Sequence, residues 1–258
     1  MSAQRYSYIS IRHEGATCIL TLRRDEKLNA LSIQVEREIL AALDSADTRQ
    51  SRCLIVTGSA RAFSAGADVS EMRGMDPASV LAYYRETGDI YERIAALQQP
   101  TISAISGYCL GGGFELALAT DFRVADESAT FGLPEVSIGI IPSSGGIYRL
   151  VRMVGAARAR EWILLRRRFT AREALVVGLV SEVVADGNAL TRALEIAVEL
   201  GELPPLAVAA AKMSIDRSAE SSREAALTIE RLSYAMLVQS ADAREAMAAF
   251  TEKRGKRA

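Results

Sequence analysis

The chain has 258 residues, of which 31 are basic and 32 acidic, so its formal net charge is −1. A chain of this length buries roughly 70–75% of the surface that its unfolded form exposes, which is enough for a large core. Because the charges balance, the chain presents no overall positive field of the kind that holds nucleic acid or an anionic membrane. We therefore expect neither nucleic acid nor a membrane among its partners.

The cysteine and histidine content argues against several classes of site. The three cysteines, Cys18, Cys53 and Cys109, are odd in number and lie in apolar stretches, which favours buried free thiols. The only histidine, His13, has no nucleophile motif near it and lacks the partners of a metal site. We expect no metal, no disulfide and no serine–histidine–aspartate triad.

No segment carries the pattern of a secretion signal or a membrane span. The N-terminal residues lack a basic region followed by a long apolar stretch. No window approaches the ~20 apolar residues that a membrane helix needs. We expect a soluble cytoplasmic protein.

Strand and helix patterns alternate from the start of the chain. Strands are predicted over 7–12, 17–24 and 53–58, and the last is continuously apolar, as in a strand covered on both faces. An amphipathic helix with a serine cap is predicted over 32–46. The spacing of apolar residues predicts one long helix over 81–99, ended by the following proline.

The second half of the chain changes from an alternating to a helical pattern. A strand over 101–106 leads into a helix that opens at the glycine run 111–113. After about residue 143 the pattern is helical, apart from a short strand over 179–184, and four helices are predicted from there to the end. The sequence therefore predicts an α/β core followed by a helical C-terminal region, with a partner subunit as one candidate for covering its apolar faces.

Two glutamates stand among apolar and glycine residues, where a carboxylate has no evident structural use. Glu115 follows the glycine run 111–113, and Glu135 follows Pro134. Removing an ionised group from water is costly unless something compensates, so its pKa rises and it becomes a usable acid or base near neutral pH. The structural alternatives are a favourable interaction with the helix dipole for Glu115 and an ordinary turn residue for Glu135. Both interpretations stay open at this point.

Two junctions between a strand and a turn, 53–68 and 101–115, carry small residues directly after a buried strand. Small residues leave backbone N–H groups unobstructed, so two such loops can form an oxyanion hole from backbone alone. Tight turns are the alternative use of these glycines. Neither loop has the GxxxxGK[ST] or GxGxxG spacing of a nucleotide site, which argues against ATP and NAD.

Six motifs in order resemble the crotonase, or enoyl-CoA hydratase/isomerase, superfamily. They cover 25–32, 62–72, 106–121, 129–146, 169–184 and 242–254. The resemblance implies a crotonase-like α/β fold, with repeated ββα units over 1–200 that carry a thioester site. A helical oligomerisation region would follow over 201–258. It also implies assembly as a homotrimer or homohexamer.

The ligand implied by the resemblance is an acyl thioester of coenzyme A. Its thioester oxygen would accept hydrogen bonds from the backbone N–H groups of Ala67 and Gly112. The remaining residues implied to bind coenzyme A or the acyl group are Lys27, Leu28, Ala30, Ala65, Asp68, Val69, Tyr234, Phe250 and Lys253. Coenzyme A is then part of the substrate, and no separate cofactor is expected.

Glu115 and Glu135 match the two catalytic glutamates of the family, and the presence of both favours a hydratase over an isomerase. The resemblance also implies a role in fatty acid and lipid metabolism. The implied reaction is reversible syn hydration of a trans-2-enoyl-CoA to a 3-hydroxyacyl-CoA. The alternatives are an isomerase, another enolate-forming enzyme such as a dehydratase of hydroxylated acyl-CoA or a decarboxylase, and a non-catalytic relative that binds a CoA thioester or RNA. Leu133, Ser143 and Ser144 depart from residues common in the family, which leaves the acyl group undefined.

Three aromatic residues have two interpretations from sequence. Tyr83, Tyr84 and Trp162 can line an acyl tunnel or simply pack in the core, and the sequence favours core packing for each.

Overall fold

The computed structural model describes residues 6–255, with side chains described as far as residue 249. Ten strands occur within that range. They are β1 (Ile9–Glu14), β2 (Thr17–Leu22), β3 (Cys53–Thr57), β4 (Ala62–Ser64), β5 (Thr101–Ile105), β6 (Tyr108–Leu110), β7 (Phe122–Asp126), β8 (Thr130–Gly132), β9 (Phe169–Thr170) and β10 (Glu182–Val184).

Twelve α-helices and two short 3-10 turns occupy much of the rest of the described chain. The helices are α1 (Ile33–Asp44), α2 (Ala46–Arg49), α3 (Val69–Met72), α4 (Pro77–Glu86), α5 (Ile90–Ala95), α6 (Gly112–Leu118), α7 (Gly146–Leu164), α8 (Ala171–Val176), α9 (Ala189–Gly201), α10 (Pro205–Ser218), α11 (Arg223–Leu237) and α12 (Ala241–Gly255). The 3-10 turns are Asp25–Lys27 and Glu135–Ile138.

The strands form two sheets. The larger has the order β1-β2-β3-β5-β7-β10, and the smaller has the order β4-β6-β8-β9. Pairing is parallel except between β1 and β2 and between β8 and β9. Three times the chain adds one strand to the large sheet, the next to the small sheet, and then turns into a helix. This confirms the repeated ββα units of the predicted crotonase-like fold.

The centre of the large sheet is buried on both faces. Every residue of β3 and of β5 is buried, as the continuous apolar patterns predicted. On one face these strands pack with Ala189, Ala193 and Ala197 of α9, whose small side chains let the helix approach closely. Because β3 and β5 are parallel neighbours, they end at the same edge of the sheet, where the loops that follow them meet.

The prediction of one continuous helix over 81–99 is wrong, because the structure has two helices there, α4 and α5. The N–H groups of Thr87 and Gly88 both donate to the Tyr83 carbonyl, which ends α4. A Cβ built on Gly88 would lie 2.8 Å from the Tyr83 ring and 2.9 Å from the Tyr84 ring. The helix therefore ends where two tyrosine rings pack directly on the backbone of a glycine.

The four helices predicted at the C-terminus are present as α9 to α12. Neither α10 nor α11 contains a buried residue, although both carry large apolar side chains. Exposed ones include Leu206, Ile215, Leu232 and Met236. Among the described residues, no helix is both long and apolar enough to cross a membrane.

Candidate active site

Glu115 is a buried carboxylate held by backbone amides. It lies in the first turn of α6 and is only 4% exposed. Its Oε1 accepts hydrogen bonds from the N–H groups of Ser144 at 2.8 Å and Gly146 at 2.9 Å. Burial raises the pKa of Glu115, and the two hydrogen bonds from backbone N–H groups oppose that rise by stabilising the ionised form. The carboxylate is therefore oriented before any ligand arrives.

Gly146 fixes the position of the Glu115 carboxylate. It is the first residue of α7, so its N–H is one of the free donors at a helix N-terminus and favours a negative charge. A Cβ built on Gly146 would lie 2.7 Å from both Cγ and Oε1 of Glu115. Since such a contact is too close for any real side chain, only glycine fits here without moving the carboxylate.

Glu135 has the opposite surroundings. It begins the 3-10 turn after Pro134, and both of its carboxylate oxygens are buried without a hydrogen-bonding partner among residues 6–255. Burial, with a smaller contribution from the negative charge of Glu115, raises the pKa of Glu135 to about 7. A carboxyl group in this state holds its proton near neutral pH and can deliver it to a ligand.

Two backbone N–H groups lie where the loops after β3 and β5 meet. A Cβ built on Gly112 would lie 3.3 Å from the Ala67 nitrogen, and one built on Gly66 would lie 3.1 Å from the Gly112 nitrogen. Neither the Ala67 nor the Gly112 N–H donates to an oxygen in the described part of the chain. Two free donors at one point can bind a single oxygen that carries negative charge.

One cavity of about 170 Å³ brings these groups together. Both glutamates and both N–H-bearing residues line it, as does the glycine pair Gly66 and Gly111. Its remaining lining is Ala65, Val69, Met72, Tyr83, Tyr84, Tyr91, Pro134, Ser137, Ile138, Ile140, Ile141, Ser143 and Ser144. The cavity thus combines apolar walls with a few convergent polar groups, which is typical of a small-molecule site.

The two segments predicted to bind coenzyme A, 27–30 and 65–69, are neighbours. The Ala65 N–H donates to the Leu28 carbonyl at 2.9 Å. Ala65 and Val69 line the cavity, whereas Lys27, Leu28, Ala30 and Asp68 lie outside its lining.

Asp68 and Lys27 occupy different surroundings within these segments. The Asp68 carboxylate pairs with Arg24 at 2.8 Å and caps the short helix α3, so it has a structural role in this chain. Lys27 is exposed in its 3-10 turn. It remains a residue predicted to bind coenzyme A.

Three other predicted binding residues cannot be assigned to the cavity from the described side chains. Tyr234 lies on α11 with 69% of its surface exposed and is outside the lining. The side chains of Phe250 and Lys253 lie outside the described residues. All three therefore stay predictions.

The aromatic residues divide between the cavity and the core. Tyr83 is buried, as the core interpretation predicted, and Tyr84 is half-buried, but both also line the cavity. Trp162 stacks on Phe169 in the core, as favoured from sequence. Tyr91 lines the cavity and was not singled out, since in a helix pattern it reads as an ordinary core position.

The fold and the cavity together define an enzyme of the crotonase class. The chain belongs to the enoyl-CoA hydratase/isomerase family, whose profile matches residues 12–257. It is 40% identical over 250 residues to a probable enoyl-CoA hydratase of Rhizobium meliloti, with 96% of each chain covered. It is 34% identical to the short-chain-enoyl-CoA hydratase of Clostridium acetobutylicum, with 95% of each covered. The crystal structure of enoyl-CoA hydratase from Bacillus anthracis superposes with a TM-score of 0.89 at 36% identity, covering 96% of this chain and 97% of that one.

Proposed function

We propose that the protein catalyses the reversible syn hydration of a trans-2-enoyl-CoA to a 3-hydroxyacyl-CoA. The observation that carries this proposal is the pair of buried carboxylates with unlike surroundings, Glu115 and Glu135, in one cavity with two free backbone donors. Membership of the family and the relatives named as hydratases support it.

The two backbone donors act on the thioester. Its oxygen accepts hydrogen bonds from the N–H groups of Ala67 and Gly112, and these bonds strengthen as negative charge develops on the oxygen when water adds to the β-carbon. Donors held in place by the fold contribute a few kcal/mol to such a step. Because both are backbone groups, no side-chain substitution deletes them.

The two glutamates divide the proton transfers. A water molecule lies between them, and the ionised Glu115 accepts a proton from it as its oxygen bonds to the β-carbon. The protonated Glu135 delivers its proton to the α-carbon, and proton exchange between the carboxyls restores the starting state. The two backbone N–H groups that donate to Glu115, and the lack of a hydrogen-bonding partner for the buried Glu135 oxygens among residues 6–255, support this assignment. The carboxyls titrate as a coupled pair, since two charges around one water repel.

The reaction needs no group beyond the protein and its substrate in this proposal. The carboxyls supply the acid and the base, and the backbone supplies the oxyanion donors. Coenzyme A enters as part of the substrate, and a role in fatty acid or related lipid metabolism is part of this proposal.

The exposed apolar side chains of α10 and α11 support assembly as a homotrimer or homohexamer. Leu206, Ile215 and Leu232 are each at least 60% exposed in the single chain. A surface of this kind is expected to be covered by another copy of the chain. Residues 201–258 would then be the oligomerisation region, as the resemblance implies.

The test of the reaction is hydration of crotonyl-CoA in water enriched in oxygen-18. The proposal expects loss of the enoyl absorbance together with one labelled oxygen in the 3-hydroxyacyl product. Conversion of a 3-enoyl-CoA without uptake of label, and no hydration of any 2-enoyl-CoA, would identify an isomerase instead. Tight binding without turnover across a panel of acyl-CoA thioesters would identify a non-catalytic relative.

A further inference from the structure

Glu36 is a second buried carboxyl group, outside the catalytic pair. It lies on α1 and has no exposed surface. Its Oε2 has no hydrogen-bonding partner in the part of the chain that the structure describes. Burial raises the pKa of Glu36 to about 8, against the opposing effect of its bond to Tyr83, so the group is largely neutral at pH 7.

Packing alone gives no reason for a glutamate at this position. The neighbouring buried residues of α1 include Val35, Ile39 and Leu43, and a leucine at position 36 would continue that apolar face. A buried carboxyl that is only partly hydrogen-bonded costs stability. Sequences break a local rule of this kind mainly where the residue serves function.

The hydrogen bond of Glu36 leads to the wall of the active-site cavity. The Tyr83 hydroxyl donates to Glu36 Oε1 at 2.7 Å. Tyr83 lines the cavity and Glu36 does not, so the tyrosine ring forms the wall while its hydroxyl is anchored behind it.

The Tyr83 ring is restrained on its other sides as well. The backbone of Gly88 lies directly against it, and Tyr84 packs edge-on with its ring centroid 5.0 Å away. The Tyr84 hydroxyl in turn bonds to the Ser143 hydroxyl. The ring can leave the wall only if the bond to Glu36 breaks inside the core, where no water replaces it.

We propose that Glu36 is a positioning residue that selects the acyl group, because it holds Tyr83 in the cavity wall and so favours short 2-enoyl thioesters over long ones. An acyl chain that extends past Tyr83 must displace the ring and break the buried bond. This inference rests on the proposed hydration for its substrate class, but it concerns the shape of the cavity and not the acid–base step.

The first measurement compares kcat/KM for crotonyl-CoA with kcat/KM for trans-2-decenoyl-CoA. Glu36→Leu and Tyr83→Phe each remove the bond, and each is expected to lower the preference for crotonyl-CoA by about 3- to 10-fold, the effect of one net hydrogen bond. The change falls on KM more than on kcat, since the catalytic carboxyls are untouched. The double variant is expected to shift the preference no further than either single variant.

Two variants separate the bond from other effects. Glu36→Gln keeps an oxygen that accepts from Tyr83 and is expected to keep the wild-type preference. Glu38→Gln is the matched control, because Glu38 is a buried glutamate of the same helix whose carboxylate accepts from the Ser7 and Tyr8 amides and touches no cavity residue. It too should keep the preference.

Melting temperatures show whether the variants fold, and Glu36→Leu is expected to melt at or above the wild-type temperature. If Glu36→Leu does not fold, Tyr83→Phe decides the question. Preferences within twofold of wild type in every folded variant that lacks the bond would overturn the inference. A Glu36→Gln preference as altered as that of Glu36→Leu would overturn it too.

Calorimetry measures the affinities for butyryl-CoA and decanoyl-CoA, and their ratio compares a short with a long acyl group without turnover. A wild-type enzyme that hydrates nothing, but whose affinity ratio shifts in Tyr83→Phe, would contradict the proposed function and support the positioning role. If the wild-type enzyme hydrates crotonyl-CoA, but Tyr83→Phe changes neither the affinity ratio nor the kinetic preference, the proposed function is supported and the positioning role is contradicted.

Discussion

Glu115 and Glu135 line the same cavity but differ in what surrounds their oxygens. Glu115 accepts two backbone N–H bonds at the start of a long helix, whereas Glu135 accepts none in the described chain. Two carboxyls with the same chemistry thereby acquire different proton affinities. The difference teaches that, in the proposed mechanism, the loop before α7 rather than the glutamates themselves would decide which one serves as base and which as acid.

The largest expected effect comes from removing either carboxyl. Glu135→Gln and Glu115→Gln should each lower kcat for crotonyl-CoA hydration by about 10²–10⁴, because an amide can neither supply nor accept the transferred proton. Steady-state kinetics measure this, and binding of butyryl-CoA serves as the control for an intact cavity. Near-normal turnover by either variant would show that the pair does not act together.

A smaller loss is expected when the glycine beneath Glu115 is changed. Gly146→Ala places a Cβ within 2.7 Å of that carboxylate, so the base must move. Displacement of a catalytic group by about 1 Å lowers turnover on the order of 10²-fold.

Gly201→Ala is the matched control for this change, because a Cβ there has its nearest neighbour at 4.0 Å. It should leave kcat unchanged. Equal kinetics for the two alanine variants would mean that Glu115 does not need its fixed position.

The pH profile sharpens the comparison further. Since the pKa of Glu135 is raised to about 7, the protonated acid becomes scarce above that pH. We expect kcat/KM for hydration to fall by about fivefold between pH 7 and pH 8. A profile flat to pH 9 would place the proton needed for the reaction on another group.

The smallest expected effect is on stability. Burial raises the pKa of Glu135 from 4.5, so the folded protein favours its neutral form and loses stability as pH rises from about 4.5 to about 7. Glu135→Gln removes that loss and should be more stable than wild type above pH 7, by on the order of 1 kcal/mol once partial exposure to solvent is allowed for. Thermal unfolding at pH 5 and pH 8 tests this: the advantage should shrink at pH 5. A difference independent of pH would contradict it.

Five of the six strands of the large sheet were predicted from sequence, whereas its strand β7 and the strands of the small sheet were not. Strands such as β3 and β5 are apolar over five residues, which gives a clear signal. The strands β4, β6 and β8 have three residues each, too few for an alternating pattern to show. Their positions follow from the closeness of neighbouring chain segments, which is a property of the folded molecule.

The candidate site was also only partly predictable. The glutamates and the two donor positions carry motifs, so the resemblance identified them before any coordinates. The roles of Tyr83, Tyr91 and Glu36 depend on contacts between α1, α4 and α5, which the predicted long helix over 81–99 obscured. Gly88 was the available signal for the break, because a glycine in a helix interior is unfavourable.

The backbone origin of the Ala67 and Gly112 donors has an evolutionary consequence. Mutation can exchange the side chains that line the cavity without deleting the two N–H groups that we propose bind the thioester oxygen. Only residues that keep the two loops in contact are constrained, and Gly66 is one, since a Cβ there would lie 3.1 Å from the Gly112 nitrogen. If the proposed role of these donors is correct, a lineage with this scaffold can change its acyl specificity one cavity residue at a time while every intermediate keeps the groups that activate the thioester.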